Sequence, residues 1–198
     1  MPSFREDHNS QIPALRMLIK LGWTYLSPDE ALAERGNRKA NVLFETILRV
    51  QIRRLNTTQR QGQTIKLSDA SLDEMVRRLK ELPLSDGYMA ANKAGFDLLT
   101  EGISVEEKVN GKRIAPQVHY IDWERPEYNV FHVTEEFSVQ RERRTDHYRP
   151  DLVLFVNGIP LGVIECKRPS VTGKHKQKPV QLAIEQRQRT QKTPALRP

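Results

Sequence analysis

The feature that most constrains this fold is the stretch YRPDLVLFVNGIPLGVIECKRPS, residues 148–170. Two apolar runs flank Asn-Gly, the dipeptide that most favours a two-residue turn between antiparallel strands. Three charged residues, Asp151, Glu165 and Lys167, interrupt these runs. Glu165 and Lys167 are two positions apart, so on a strand they project from the same face. Breaks in an otherwise consistent pattern are concentrated at functional sites, and these three residues are therefore the first site candidates.

The pairing register decides whether the three residues meet. A two-residue loop at residues 157–158 sets Asp151 opposite Ile164, so that it faces away from Glu165. A pairing shifted by one residue sets Asp151 opposite Glu165 instead. We therefore expect a bulge or a three-residue loop near Asn157–Pro160, or a distortion where the first strand starts. Bulges often re-aim side chains beside active sites.

A pocket holding Asp151, Glu165 and Lys167 would suit a divalent cation. Adjacent carboxylates repel each other unless a cation lies between them. Their oxygens suit Mg²⁺, which commonly takes one or two carboxylates together with waters and phosphate oxygens. The ion would polarise a phosphodiester and lower the pKa of a bound water, while Lys167 would orient or deprotonate that water and offset charge on the phosphate. The alternative interpretation is an exposed ion-pair cluster on a hairpin, against which the long Val, Leu and Ile runs argue.

Apolar periodicity and chain breakers predict the remaining elements. Helices are predicted at residues 11–26 (ending at Gly22), 27–36, 39–56, 73–82, 87–100 and 180–191. Strands are predicted at residues 103–109, 115–123 and 129–140, ahead of the hairpin. This order predicts a mixed α/β (α+β-like) domain with a largely antiparallel central sheet flanked by helices. We expect one domain over residues 1–198, with a helical lead-in (1–36) and a core (37–198), belonging to a longer chain.

Composition favours a nucleic-acid ligand and argues against other classes. Lys and Arg number 32 against 25 acids, giving a net charge of +7 and a pI near 9.6, which suits a polyanion. The single cysteine cannot form an internal disulfide, and no pair of histidines has zinc-ligand spacing. No apolar run approaches the roughly 20 residues that cross a bilayer, and the first residues lack a signal-peptide core. We therefore expect a cytoplasmic protein without a membrane partner.

Basic segments lie on both sides of the candidate site in the sequence. Residues 141–149 read RERRTDHYR and residues 167–178 read KRPSVTGKHKQK. Their cations would contact phosphates without reading base sequence; the representatives we single out are Arg143, Arg144, Arg168 and Lys174. The alternative interpretation of each segment is a solvated loop.

The sequence resembles a known nuclease family. Pro150-Asp151 followed by Glu165-Cys166-Lys167 is similar to the PD…(D/E)xK nuclease core. Longer stretches resemble the N-terminal part of the restriction subunit of type I restriction enzymes; they are DLVLFVNGIPLGVIECKRPS, HYIDWERPEYNVFHVTEEF and IPALRMLIKLGWTYLSPDEALAERGNRKANVLFETILRVQIRRLN. The resemblance implies a restriction-endonuclease-like core and Mg²⁺-dependent cleavage of double-stranded DNA, with Mn²⁺ able to substitute.

The resemblance also implies roles for individual residues. By position, Asp151 and Glu165 would be metal ligands and Lys167 the catalytic lysine, and the backbone carbonyl of Cys166 would add a ligand. The family places an acidic residue on an early helix near the metal, and Glu45 is the matching position. The alternative interpretation of Glu45 is a solvated helix acid.

A further family motif is only half present. Many relatives carry Gln-x-x-x-Tyr on the helix after the lysine strand. Here Gln186 is present, but Thr190 stands at the tyrosine position. A contact from Gln186 to DNA or to the site is therefore expected without the aromatic role. The alternative interpretation is the polar face of an amphipathic helix.

Family members are much longer than this chain and carry a helicase-like motor that uses ATP. The sequence has no G-x-x-x-x-G-K-[ST] phosphate loop, so ATP use is expected only in the full-length protein. Implied partners are double-stranded DNA and the methyltransferase and specificity subunits of a type I restriction-modification complex. Two alternatives stay open: another PD…(D/E)xK nuclease of DNA repair or recombination, and a non-catalytic nucleic-acid-binding or docking module with the same fold.

Overall fold

The computed structural model describes residues 11–60, 63–109, 111–140 and 147–166. The helices in these ranges are α1 (Ile12–Lys20), α2 (Pro28–Glu34), α3 (Glu45–Leu55), α4 (Asp69–Lys80) and α5 (Tyr88–Glu101). The strands are β1 (Thr24–Leu26), β2 (Thr58–Arg60), β3 (Gln63–Ile65), β4 (Ile103–Ser104), β5 (Glu107–Val109), β6 (Lys112–Ile114), β7 (Gln117–Val118), β8 (Phe131–Glu135), β9 (Val139–Gln140), β10 (His147–Tyr148), β11 (Leu152–Val156) and β12 (Ile159–Ile164). No helix in this part of the chain is long and apolar enough to cross a bilayer. The helix predicted at 180–191 lies outside the described residues.

Four strands form the central sheet, in the order β1-β8-β11-β12. β11 is antiparallel to both of its neighbours, whereas β1 runs parallel to β8. The prediction of a mixed α/β domain with a largely antiparallel central sheet flanked by helices is confirmed. The position of β1 differs from the prediction, which assigns its residues to a helical lead-in. Gly22, with φ of 95°, follows α1 and turns the chain into this strand.

Helices cover both faces of the central sheet. Successive β11 side chains alternate between the faces, so each face has apolar residues to bury. Leu152 packs in a cluster with Val133 under the apolar side of α1. Val153 and Phe155 pack on the other face, in a cluster that contains Phe44 just before α3. A third cluster joins α3 and α4 to the chain around β7. The central sheet is therefore buried on both sides along most of β11.

The loop before α3 is held by a buried arginine. Arg35 donates hydrogen bonds to three backbone carbonyls, those of Lys39, Asn41 and Ser138. Its guanidinium also lies 4.0 Å from the centroid of the Phe137 ring. Burial lowers the pKa of Arg35 to about 10, so the group stays charged at neutral pH. A helix starting at residue 39 would use the Lys39 and Asn41 carbonyls for its own backbone hydrogen bonds. Arg35 binds these carbonyls, and α3 begins at Glu45 instead.

The β11–β12 hairpin combines a two-residue turn with a bulge. Val156 pairs with Ile159, and Asn157 and Gly158 both have positive φ, as a type I′ turn requires. The register then shifts, because Phe155 pairs with Pro160 but Leu154 pairs with Gly162. The residue left over is Leu161, just beyond the range predicted for the irregularity. The predicted bulge is confirmed, and the shift ends with Leu152 opposite Ile164.

Replacing Gly158 with Ala is expected to lower the free energy of unfolding by about 1–3 kcal/mol. Its φ of +84° is unfavourable for a residue with a Cβ, and that Cβ would lie 2.6 Å from the Phe44 carbonyl oxygen. Because the obstructing atom belongs to the backbone, the start of α3 would have to move. Urea denaturation of the two proteins measures the loss.

Gly111→Ala is the matched control for that measurement. Gly111 has a φ of +79°, but a Cβ there would meet nothing within 4 Å. It therefore carries the conformational cost without the clash. We expect the Gly158 variant to lose more stability than the Gly111 variant, and equal losses would contradict the role of the close approach.

Candidate active site at the open end of the β11–β12 hairpin

The bulge brings two acidic residues together at the open end of the hairpin. Continuing the register one residue beyond Leu152 and Ile164 sets Asp151 opposite Glu165. Opposed residues of antiparallel strands project from the same face. The backbone N–H of Cys166 donates a hydrogen bond to Asp151 Oδ2 at 2.6 Å. This bond ties the start of one strand to the end of the other and fixes the orientation of the aspartate.

Strand alternation separates the two acids from the cysteine. Asp151 lies on the same face as Val153, the face covered by the start of α3. Cys166 is buried on the opposite face, with Val133 and Leu152. Its thiol is therefore a core group, and only its backbone lies at the acidic corner.

A second set of bonds holds the backbone at Asp151. The Asp151 carbonyl accepts hydrogen bonds from the Glu136 N–H at 3.0 Å and from Gln11 Nε2 at 3.3 Å. Gln11 Nε2 also lies 3.3 Å from Glu135 Oε2, and the Tyr25 hydroxyl donates to Glu135 Oε1 at 2.6 Å. Burial, together with the hydrogen bond and charge of Glu135, raises the pKa of Tyr25 to about 12, so Tyr25 remains a donor at neutral pH. The N-terminal part of the chain thus braces the aspartate from the α1 face.

Tyr148 orients the second acid, Glu165. Its hydroxyl donates a hydrogen bond to Glu165 Oε1 at 2.8 Å. Hydrogen bonds from the described residues therefore reach one oxygen of each carboxylate, Asp151 Oδ2 and Glu165 Oε1. No described residue donates a hydrogen bond to the other oxygen of either carboxylate.

The donor set at this corner fits a hard divalent cation. The two carboxylates are oxygen ligands of the kind Mg²⁺ takes, with waters and phosphate oxygens completing the octahedron. Within the described ranges, no group of three or more His, Cys, Asp or Glu side chains is placed to hold a metal. The described side chains would thus supply two metal ligands. The remaining coordination positions would be open to waters and a substrate phosphate.

The structure does not bring Glu45 to this corner. α3 begins beside the turn of the hairpin, where the Phe44 N–H donates to the Gly158 carbonyl at 2.9 Å, and the turn is at the other end of β11 from Asp151. The Glu45 carboxylate instead accepts a hydrogen bond from Asn41 and forms a 2.5 Å ion pair with Lys80. Burial alone would raise the pKa of Glu45, but the bond and charge of Lys80 lead the effects that lower it below its usual value.

Several residues named from the sequence lie outside the described residues: Lys167, Arg143, Arg144, Arg168, Lys174 and Gln186. Sequence reasoning, in turn, missed Gln11 and Tyr148. Tyr148 stands three positions before Asp151, but no local pattern connects it with Glu165. Gln11 is 140 residues from the carbonyl it binds, so only the folded chain reveals the contact.

Comparison with known proteins identifies the family to which the chain belongs. The family model described as "Type I restriction enzyme R protein N terminus" matches residues 3–197. The type I restriction enzyme HindI endonuclease subunit of Haemophilus influenzae is 30% identical over 160 residues, covering 78% of this chain and 14% of that protein. The putative type I restriction enzyme MjaIXP endonuclease subunit of Methanocaldococcus jannaschii is 26% identical over 167 residues, covering 83% of this chain and 15% of that protein.

The chain therefore spans about one-seventh of the length of the curated relatives it matches. Its mixed α/β architecture is consistent with a PD…(D/E)xK nuclease-like domain. The match covers nearly every residue of the chain, including the whole β11–β12 hairpin. This chain belongs to the family of type I restriction enzyme R protein N termini.

Proposed function

We propose that this chain is the Mg²⁺-dependent endonuclease domain of a type I restriction subunit and hydrolyses phosphodiester bonds of double-stranded DNA. The observation that carries the proposal is the juxtaposition of Asp151 and Glu165 at the open end of the hairpin. Each has one oxygen oriented by a hydrogen bond, and among the described residues nothing donates to the other, which would bind the cation. The named relatives are endonuclease subunits, which supports the same activity.

Each residue has a distinct task in the proposed reaction. Asp151 and Glu165 would hold the metal ion, helped by the Cys166 carbonyl. A bound Mg²⁺ would supply Lewis-acid polarisation of the phosphodiester and a more acidic water. Lys167 would orient or deprotonate the attacking water and offset charge on the phosphate. Tyr148 and the Cys166 N–H would keep the two carboxylates in position before substrate arrives.

The proposal extends to the setting in which the domain works. The chain would act in the cytoplasm as part of a complex with methyltransferase and specificity subunits. Its target choice would come from those partners, and ATP would be used by a motor elsewhere in the full-length protein. Mn²⁺ would substitute for Mg²⁺, because both are hard cations that accept carboxylate and water ligands.

Removal of divalent metal is expected to abolish cleavage. In the assembled enzyme that carries this chain, supercoiled plasmid should remain intact with EDTA and be cut again when Mg²⁺ or Mn²⁺ is restored. Gel electrophoresis measures the nicked and linear products. For the 198-residue chain alone, calorimetric titration should show Mn²⁺ binding that Glu165→Gln weakens, because the variant loses a charged ligand. Cleavage that continues unchanged in EDTA would contradict the proposal.

A further inference from the structure

The β5–β6 hairpin carries an unusual pair of cations. Lys108 on β5 lies directly opposite Arg113 on β6, so both side chains project from one face of the ribbon. Both side chains are exposed. Within the described part of the chain, neither forms an ion pair with an acid. Lys112, beside the turn, is also exposed, but it lies opposite Val109 and projects from the other face of the ribbon.

This arrangement is unfavourable for the protein by itself. Like charges directly opposite on neighbouring strands destabilise the pair. Several exposed cations elsewhere in the described ranges are matched by acids; the ion pairs are Arg53–Asp69, Arg77–Glu74, Arg78–Glu74 and Lys93–Asp97. The nearest acid along the chain on the same side is exposed Glu106, which is not within ion-pair distance of a described cation. A bound anion would turn the repulsion between Lys108 and Arg113 into a shared attraction.

The β5–β6 hairpin is anchored to the core, so its outer face is held in place as a binding surface. Glu107, on the inner face, is buried and accepts hydrogen bonds from the N–H and hydroxyl of Ser68 at 2.8 and 3.0 Å. Ser68 caps the N-terminus of α4. At the base of the ribbon, the Val105 N–H donates to the Pro116 carbonyl at 3.2 Å. The strands are therefore anchored to the core while Lys108 and Arg113 point outward.

We propose that the β5–β6 hairpin binds the phosphate backbone of duplex DNA through Lys108 and Arg113. This inference rests on the proposed function, since it takes DNA as the substrate. A guanidinium offers a bidentate fork to phosphate oxygens and an ammonium offers a compact charge, so the pair can clamp one phosphate or two neighbours. Within the two strands, the outward position offers cations and no amide side chain, which favours backbone contact over base reading. A protein partner would favour a less charged centre.

Salt dependence of DNA binding tests this inference. Binding of the 198-residue chain to a fluorescein-labelled duplex of arbitrary sequence is followed by anisotropy in EDTA, over a series of salt concentrations. Each lost phosphate contact reduces the slope of log K against log salt by about 0.9, so Lys108→Gln/Arg113→Gln should reduce it by about 2. An unchanged slope would overturn the inference, and would leave an acidic protein surface as the ligand to examine.

A matched variant controls for net charge. Arg77→Gln/Lys93→Gln removes two cations that are already ion-paired with acids on their own helices. It changes the total charge by the same amount as the hairpin variant. We expect its salt slope to equal that of the wild type. Equal reductions in both double variants would show a diffuse charge effect and overturn the assignment to the hairpin.

A charge reversal separates binding from misfolding. Lys108→Glu replaces the cross-strand repulsion with an attraction to Arg113, so the midpoint of thermal unfolding should rise while DNA affinity falls. A lowered midpoint would contradict the repulsion inferred for the pair. Asp151→Asn should keep the wild-type salt slope in this binding assay, and in the assembled enzyme with Mg²⁺ it should lose cleavage. If that variant still cleaves, the proposed nuclease site fails, whereas the slope continues to decide the hairpin separately.

Discussion

Asp151→Asn is expected to slow DNA cleavage by about a thousandfold in the assembled enzyme. The replacement keeps the size of the side chain and an oxygen that can accept the Cys166 N–H bond, which in the wild type is 2.6 Å long. It removes the negative charge that would help hold the metal ion. A Lewis-acid metal supplies several kcal/mol, and each 1.4 kcal/mol corresponds to a factor of ten in rate. Single-turnover cleavage of plasmid measures the effect.

Glu136→Gln is the control for this variant. Its backbone N–H binds the Asp151 carbonyl, but its carboxylate pairs with Arg149 at 3.2 Å on the surface. The change therefore removes the same charge one strand away without removing a proposed ligand. We expect cleavage close to the wild-type rate. Equal losses of cleavage rate in the two variants would show that the total negative charge at this end of the sheet matters, and that Asp151 has no specific role as a ligand.

Phe155→Ala is expected to lower the free energy of unfolding by about 3–5 kcal/mol. Phe155 is fully buried, with its ring stacked on Phe44 at a centroid distance of 3.9 Å and edge-on to Phe137 at 5.3 Å. Truncation removes apolar contact and leaves a cavity between the central sheet and the start of α3. Urea denaturation followed by circular dichroism measures the change, and the m-value should stay constant.

Phe96→Ala makes the same chemical change on the surface. Phe96 is 66% exposed on α5, so its loss should cost less than about 0.5 kcal/mol. The difference between the two losses of unfolding free energy measures the effect of burial, apart from the intrinsic effect of replacing Phe with Ala. A Phe155 variant that loses less than the Phe96 variant would contradict the packing described for this core.

Local elements of the fold could be predicted where neighbouring residues determine them. Ser27 and Glu30 form the capping box at the start of α2, as their spacing predicts. Asn157 and Gly158 form the tight turn for which their tolerance of positive φ suits them. The bulge could also be predicted, because Asp151 and Glu165 reach one face only if the register shifts.

The remaining differences arise from contacts between distant segments. β1 forms because Thr24–Leu26 pair with a strand more than a hundred residues later, and no local pattern reveals that partner. α3 starts late because Arg35 binds the carbonyls of the preceding loop. Helix periodicity does not specify which end of the hairpin the start of α3, and with it Glu45, adjoins.

The candidate site also combines residues that could be predicted from the sequence with residues that could not. Asp151 and Glu165 could be named from their positions on an apolar hairpin and from the family resemblance. The groups that orient them could not, because Tyr148 acts through tertiary geometry and Gln11 acts across 140 residues. Residue chemistry thus indicated the proposed ligands, whereas only the folded chain reveals the residues that support them.

The bond from Gln11 to the Asp151 carbonyl also bears on how the chain matures during translation. A ribosome adds about 5–20 residues per second, so about 7–30 s separate the synthesis of these two residues. Until β8 and β11 emerge, the nine-residue α1 has no sheet to cover, and a helix of that length is unstable alone. α1 is therefore synthesised well before the strands that it covers, and its apolar side has no partner in the central sheet until they emerge.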